Sequence, residues 1–289
     1  MEEADVGPWR PAPRADAPDP SAAVAEAPAS AWREVDPENL LLVELAGGAR
    51  VAIELAPGFA PVHVANIRRF ARAGWWRDAT VYRLQENYVA QWGVGESERP
   101  LPEGVVELPP AEYTRPLAGL DVRPLGNPDP YAPAAGFAEG WPVGYDPGGL
   151  RAWLAHCYGA VGVARGLAPD TGTGSELYAV IGHAPRHLDR NIALVGRVIG
   201  GIEALTSLPR GTGRLGFYEQ EARRLPIERV VLAADLPPDE RPSYEAMRTE
   251  SDAFGDYLIG RANRGGEFFT VPAGGVDLCN VGVPVRVAR

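Results

Sequence analysis

From Asn39 onward the chain is a succession of short apolar runs separated by glycine- and proline-rich breaks. Leu40–Leu45 and Arg50–Leu55 are branched-rich and joined by Ala46-Gly-Gly-Ala. The two glycines supply the positive φ of a tight turn, so the pair predicts a β-hairpin. After Pro61, a residue favoured at the first helical position, Val64, Ile67 and Phe70 recur with Ala71 at helical spacing. Gly74 ends that pattern. Residues 80–84 and 88–93 predict a second strand pair around Gln85-Glu-Asn87. Four more strands are predicted at 160–165, 176–181, 192–199 and 229–232, with a glycine-rich loop at 166–174. Ile202, Leu205 and Leu208 mark a short second helix that Pro209 ends. Paired strands with two helices at intervals predict a mainly β fold: a closed eight-stranded antiparallel barrel capped by two helices.

Three segments depart from this pattern. Residues 1–37 are rich in Ala, Pro, Asp and Glu without periodicity and predict a disordered arm. Residues 38–235 form the barrel domain, interrupted at about 96–150 by a long Pro/Gly-rich stretch. That stretch reads as an irregular loop insertion fastened by Tyr131, Trp141 and Tyr145. Residues 236–289 predict a C-terminal extension packed on the barrel. It holds a helix capped by Ser251, carrying Phe254, Tyr257 and Leu258 and ended by Gly265, then apolar runs at Phe268-Phe-Thr-Val271 and near Val281.

Composition narrows the function. The 34 glycines and 29 prolines among 289 residues favour turns and short strands over long helices. The formal charge is −10 and every basic residue is arginine. An acidic chain offers no basic stripe for nucleic acid. The absence of lysine removes Walker-type phosphate loops and Schiff-base chemistry. No apolar run reaches 18 residues, so no membrane insertion by a helix is expected. The acidic start Met1-Glu-Glu-Ala-Asp5, with no apolar h-region after it, suits a cytoplasmic protein or the mature form of an exported one. Cys157 and Cys279 are compatible with one disulfide in an oxidising compartment or with two buried thiols in a reducing one.

Few motifs carry chemistry by themselves. His183 and His187 have metal-helix spacing, but Pro185 breaks the face between them, and His156 beside Cys157 cannot share one tetrahedral ion with it. No metal site and no cofactor are expected. The loop Asp170-Thr-Gly-Thr-Gly-Ser-Glu176 leads into a strand, whereas phosphate cradles open a helix. No nucleophile–base pair of a hydrolase is evident. Arg83, inside the apolar strand Val81-Tyr-Arg-Leu84, and Gln91, between Tyr88 and Trp92, name no function singly.

In order and together these residues resemble the cyclophilin-type peptidyl-prolyl isomerases. That family carries Phe-His-Arg-Val-Ile-x-x-Phe-Met-x-Gln-Gly-Gly-Asp, and Val81-Tyr-Arg-Leu-Gln-Glu-Asn-Tyr-Val-Ala-Gln-Trp-Gly-Val94 keeps the arginine and glutamine at the same separation. Ala60-Pro with Asn66 and Phe70 resembles its first helix, and Gly174-Ser-Glu-Leu-Tyr178 its Gly-Ser-Gln-Phe-Phe strand. Leu188-Asp189 and Val195-Gly-Arg-Val198 resemble its Leu-Asp…Phe-Gly-x-Val stretch. The resemblance covers about 40–232.

It implies isomerisation of X-Pro bonds in flexible chains, without a cofactor, by a monomer whose partners are proline-containing polypeptides. Arg83 and Gln91 stand at the catalytic positions. Tyr88, Val89, Tyr178 and Leu188 stand at the proline pocket, and Ala164 at a backbone contact. Glu176, Arg165, His187 and Ile192 are substrate-binding positions where this chain departs from the family pattern. Those departures leave a binding or chaperone module as the alternative reading. An exported isomerase would work in the bacterial periplasm, with the cytoplasm as the other location, and export would favour a Cys157–Cys279 bridge.

Overall fold

Eight antiparallel strands close on themselves: β1 (Leu40–Leu45), β2 (Arg50–Leu55), β3 (Thr80–Leu84), β4 (Val89–Gly93), β5 (Ala160–Val163), β6 (Leu177–Val180), β7 (Leu194–Gly200) and β8 (Leu225–Leu232). Around the barrel they run β5-β6-β4-β3-β8-β1-β2-β7, and β7 returns to β5. The computed structural model describes residues 13–95 and 99–288.

The β1–β2 hairpin holds the register Val43↔Val51 and Leu41↔Ile53, which sends these four side chains into the barrel core. Closure leaves no free strand edge to pair with other chains. Helix α1 (Pro61–Arg72) lays Val64, Ile67, Phe70 and Ala71 on that core, and α2 (Glu203–Thr206) adds Leu205. Both helices and all eight strands fall where the apolar periodicity places them. The main shift is β8, which starts at Leu225.

The start of α1 is built from far away in sequence. Ala60, at its N-cap, has no side chain able to accept a hydrogen bond. Glu112 takes that role, accepting from Val62 N at 2.9 Å and His63 N at 3.0 Å. The buried His63 ring meets the same carboxylate at 2.6 Å. Asn66 holds Val106 through both its backbone groups, and Thr171 Oγ1 donates to the Pro109 carbonyl.

Compact units divide the chain differently from the three segments expected. One comprises Val35–Arg115, Trp153–Tyr244 and the last residues; the other comprises the start of the chain to Glu34, Pro116–Ala152 and Glu245–Arg286. Two expectations, the disordered arm and the irregular insertion, are corrected by the elements observed there. Within the described part of the arm, Pro20–Ala25 is helical, because Pro20 opens it and Asp19 Oδ1 caps it by accepting from Ala22 N at 2.8 Å. Trp32–Glu34 pairs with Tyr244–Met247 in a three-stranded sheet completed by Val285–Val287. Residues 1–12 lie outside the described residues.

The insertion is regular too. Its antiparallel sheet runs Arg115–Pro116, Arg151–Leu154, Trp141–Asp146, Ala134–Ala138 and Val122–Pro124. Glu139 and Gly140, both at positive φ, close its central hairpin as primed turns do. Its strands are too poor in branched residues to be legible, and Gly136 is needed because a Cβ there would fall 2.3 Å from the Arg123 carbonyl.

The C-terminal helix Asp252–Ala262, capped by Ser251, belongs with this sheet. Phe254 meets Phe137 edge to face at 5.0 Å, and Arg123 donates to the carbonyls of Thr249, Glu250 and Ser251. Phe268-Phe-Thr-Val271 forms no strand, and Phe268 and Val271 are exposed. Neither Cys157 nor Cys279 is a free thiol; both are disulfide-bonded. Among the described residues no helix is long and apolar enough to cross a membrane.

Candidate active site

Arg83 on β3 and Gln91 on β4 are direct cross-strand partners. The register slips between Val81 and Arg83, so Tyr82 is the extra residue of a β-bulge. Successive strand residues ordinarily face opposite ways, and a bulge re-aims one of them. Here two consecutive side chains reach the same glutamine. Arg83 Nη1 donates to Gln91 Oε1 at 2.9 Å, and Gln91 Nε2 donates to the Tyr82 hydroxyl at 2.6 Å. Arg83 also donates from Nη2 to Gln85 Oε1 at 2.7 Å and from Nε to the Leu215 carbonyl at 2.8 Å.

All three acceptors are neutral. Burial therefore lowers the Arg83 pKa, with Tyr88, Tyr82 and Tyr178 acting against the shift. A guanidinium nevertheless keeps its proton in any working range. Its carbon lies 5.7 Å from the Tyr88 ring centre and 5.4 Å from that of Phe217. Tyr82 stacks on Phe217, and Tyr88 on the exposed His187 ring at 6.3 Å with planes 4° apart.

Beside this cluster Tyr178 on β6 pairs with Gln91 on β4. Its ring covers Gly162, where a Cβ would fall 2.3 Å from the ring and hydroxyl. Behind it runs a fully buried relay. Asp189 Oδ1 accepts from His156 N at 2.9 Å and meets His156 Nδ1 at 2.8 Å, while Arg186 Nε donates to Oδ2 at 2.6 Å. A carboxylate only accepts, so Nδ1 carries the imidazole proton and Nε2 accepts from the Tyr178 hydroxyl at 3.0 Å. Burial pushes Asp189 up, but His156 and Arg186 together hold it below its ordinary value. Burial lowers His156, against the opposing pull of Asp189. Tyr178 is raised well above the usual phenol range by burial, with Tyr88 and Asp189 adding to it.

The remaining expected positions are spread around these two networks. Val89 is buried in β4. Ala164 N donates to the Glu176 carbonyl at 2.9 Å, so the two segments run side by side. Arg165 reaches the carbonyls of Asn191 and Gly166 and lies 5.9 Å from the Tyr113 ring. Leu188 ends the single turn Arg186–Leu188. Ile192 lines a separate shallow crevice with Phe59, Glu112, Tyr113 and Trp153. Glu176 accepts from Gly95 N at 3.0 Å, and burial raises its carboxyl to about 7.

Sequence reasoning missed Tyr82, Gln85, Leu215, Phe217 and the His156–Asp189–Arg186 group. Only Tyr82, beside Arg83, left any local signal, and the bulge that makes it relevant has none.

Residues 40–231 match the family model of the cyclophilin type peptidyl-prolyl cis-trans isomerase/CLD. A probable peptidyl-prolyl cis-trans isomerase of Brucella suis biovar 1 (strain 1330) is 27% identical over 177 residues, covering 61% of this chain and 74% of that protein. A protein of the same description from Brucella melitensis matches equally well. The crystal structure of cyclophilin AquaCyp293 from Hirschia baltica is similar with a TM-score of 0.68 at 26% identity, covering 89% of this chain and 93% of that one. That likeness reaches well past the barrel. The barrel with its two helices thus defines a cyclophilin fold. The chain belongs to the cyclophilin-type peptidyl-prolyl cis-trans isomerase family, and it is an isomerase of that type.

Proposed function

We propose that Arg83 is the catalytic residue of an isomerase acting on X-Pro bonds of unfolded or flexible chains, and that Gln91 orients it. Rotation about a peptide bond is opposed by amide resonance, with a barrier of about 18–20 kcal/mol. X-Pro isomers are close in energy but exchange slowly. The catalyst needs neither nucleophile nor cofactor, only a preference for the twisted amide, whose nitrogen lone pair is localised. Three of the five N–H groups of Arg83 are held by Gln91, Gln85 and Leu215, which leaves two for a substrate. A donor that meets the nitrogen mainly in the twisted state accelerates the reaction instead of merely binding.

Tyr88, Val89, Tyr178, His187 and Leu188 would hold the proline ring, and Ala164, Arg165, Glu176 and Ile192 the flanking residues. The observation that carries this reading is the fixed Arg83–Gln91 pair, with no carboxylate among the hydrogen-bond partners of the guanidinium in the described residues. Exchange NMR on an X-Pro peptide tests it. Wild type should speed exchange and Arg83→Ala should not; equal rates would leave a binding module only.

We also place the protein, as a monomer, in the bacterial periplasm, because both cysteines are disulfide-bonded and such bonds persist in oxidising compartments. Intact mass with and without reductant, on protein from fractionated cells, checks this. Two free thiols in a cytoplasmic fraction would overturn it.

A further inference from the structure

We propose that Phe217 and Leu215 form a specificity subsite of the isomerase: they receive the side chain of the residue that follows the proline, and they favour an apolar one, above all an aromatic one. The inference rests on Arg83 being the catalytic residue, with the proline ring on the Tyr88 side of it.

Strand β8 accompanies β3 only at Thr80 and Val81. From Tyr82 onward that edge is taken by the loop that precedes β8. Tyr218 N donates to the Tyr82 carbonyl and Gly211 N to the Leu84 carbonyl, each at 3.0 Å, and Arg83 and Phe217 pair as an antiparallel bridge. The loop also closes on itself. Gly213 N donates to the Phe217 carbonyl at 3.0 Å, and the Tyr218 hydroxyl donates to the Pro209 carbonyl. At Gly216 the loop presses so close to β3 that a Cβ would fall 2.5 Å from the Gln85 Cα. Its residues are therefore fixed relative to Arg83.

Two large apolar side chains of this fixed loop face solvent. Phe217 is 41% exposed and Leu215 is 54% exposed. The Phe217 ring stacks on Tyr82 with planes 16° apart and meets the Arg83 guanidinium at 5.4 Å, so both neighbours set its orientation. Leu215 has φ 58°, in the left-handed region that strains a residue bearing a Cβ. Its carbonyl holds Arg83 Nε at 2.8 Å, which a glycine there would do with less strain. The leucine side chain, more than half exposed, returns little of that strain through burial. An apolar group laid across Leu215 and Phe217 would bury both.

The strand register says which part of a substrate that group belongs to. On one edge of β3, Gln91, Tyr178 and Gly162 follow Arg83 in register across β4, β6 and β5. Phe217 flanks Arg83 on the other edge. With the proline over β4 and β6, the preceding residue at Ala164 and the imide nitrogen facing Arg83, the chain leaves across Phe217. The residue after the proline then meets the loop.

The test is kcat/KM from exchange NMR on the peptides Ala-Ala-Pro-Phe-Ala and Ala-Ala-Pro-Gly-Ala. Wild type should prefer the first by about five- to tenfold. Phe217→Ala should cut that preference to about twofold. Leu215→Gly, which keeps the carbonyl on Arg83, should cut it by about two- to threefold with little change in the thermal midpoint. A third peptide, Ala-Phe-Pro-Gly-Ala, varies the residue before the proline, and its rate relative to Ala-Ala-Pro-Gly-Ala should be the same in all three proteins. With Arg83→Ala inactive, three results overturn the inference: no wild-type preference, a preference that survives in Phe217→Ala, or a loss by the same factor on both peptides. A change confined to the third peptide also overturns it, because the pair would then serve the residue before the proline. Arg83→Ala as active as wild type overturns the catalytic assignment itself.

Discussion

Two arginines of this site, Arg83 and Arg186, sit in opposite electrostatic situations. Arg186 is 3% exposed and locked to Asp189, which also holds His156. Its charge is cancelled and its geometry closed. Arg83 is partly exposed, and among the described residues its hydrogen bonds go to the neutral oxygens of Gln91, Gln85 and Leu215. Its geometry is as well defined, but its charge is left unanswered. A residue meant to stabilise a reacting amide needs fixed direction with uncommitted charge, and a residue meant to brace a pocket wall needs the reverse.

The largest effect should come from breaking the closed side. Asp189→Asn removes the buried carboxylate that Arg186 and His156 share, and the expected loss is about 3–5 kcal/mol in urea unfolding. A loss below about 1 kcal/mol would mean that Arg186 is not paired in the sense described. Next comes Arg83→Ala, expected to lower kcat/KM by about 10²–10³, or about 3–4 kcal/mol, while the unfolding midpoint hardly moves. Arg83→Lys should fail to restore the rate, since one ammonium cannot satisfy three acceptors and a substrate.

A smaller effect concerns pH and stability. Glu176 titrates at about 7 when folded, against an ordinary 4.5. Between those values the folded state binds more protons than the unfolded one, so stability should fall as pH rises from about 4.5 to 7, by about 1–3 kcal/mol. Glu176→Gln should remove this slope, matching wild type near pH 5 and exceeding it near pH 8 in thermal unfolding. The smallest change is Tyr178→Phe. It leaves His156 Nε2 without its donor and should cost about 1–2 kcal/mol.

How much of this was legible in sequence follows from the distances over which each feature is determined. The β1–β2 hairpin and α1 are local, set by alternation, turn glycines and Pro61, and they appear where expected. Arg83 and Gln91 were legible through family resemblance, because a hairpin of fixed length brings them face to face. The bulge at Tyr82 left no signal, since it depends on how β3 pairs with β4. Leu215 and Phe217 reach Arg83 from more than a hundred residues away. His156 and Asp189 are separated by 33 residues and meet only when β5 and β7 are both in place. The sheet of the insertion was hidden by its alanines, glycines and prolines, whose strand preference is poor.

Glu112 gives an engineering lesson. Because the first turn of α1 is completed by a carboxylate some fifty residues downstream, trimming the barrel domain down by excising the segment that follows β4 would remove a helix terminus with it. A shortened version would need a substitute written in at Ala60, such as Asp or Ser, before any deletion there is tolerated.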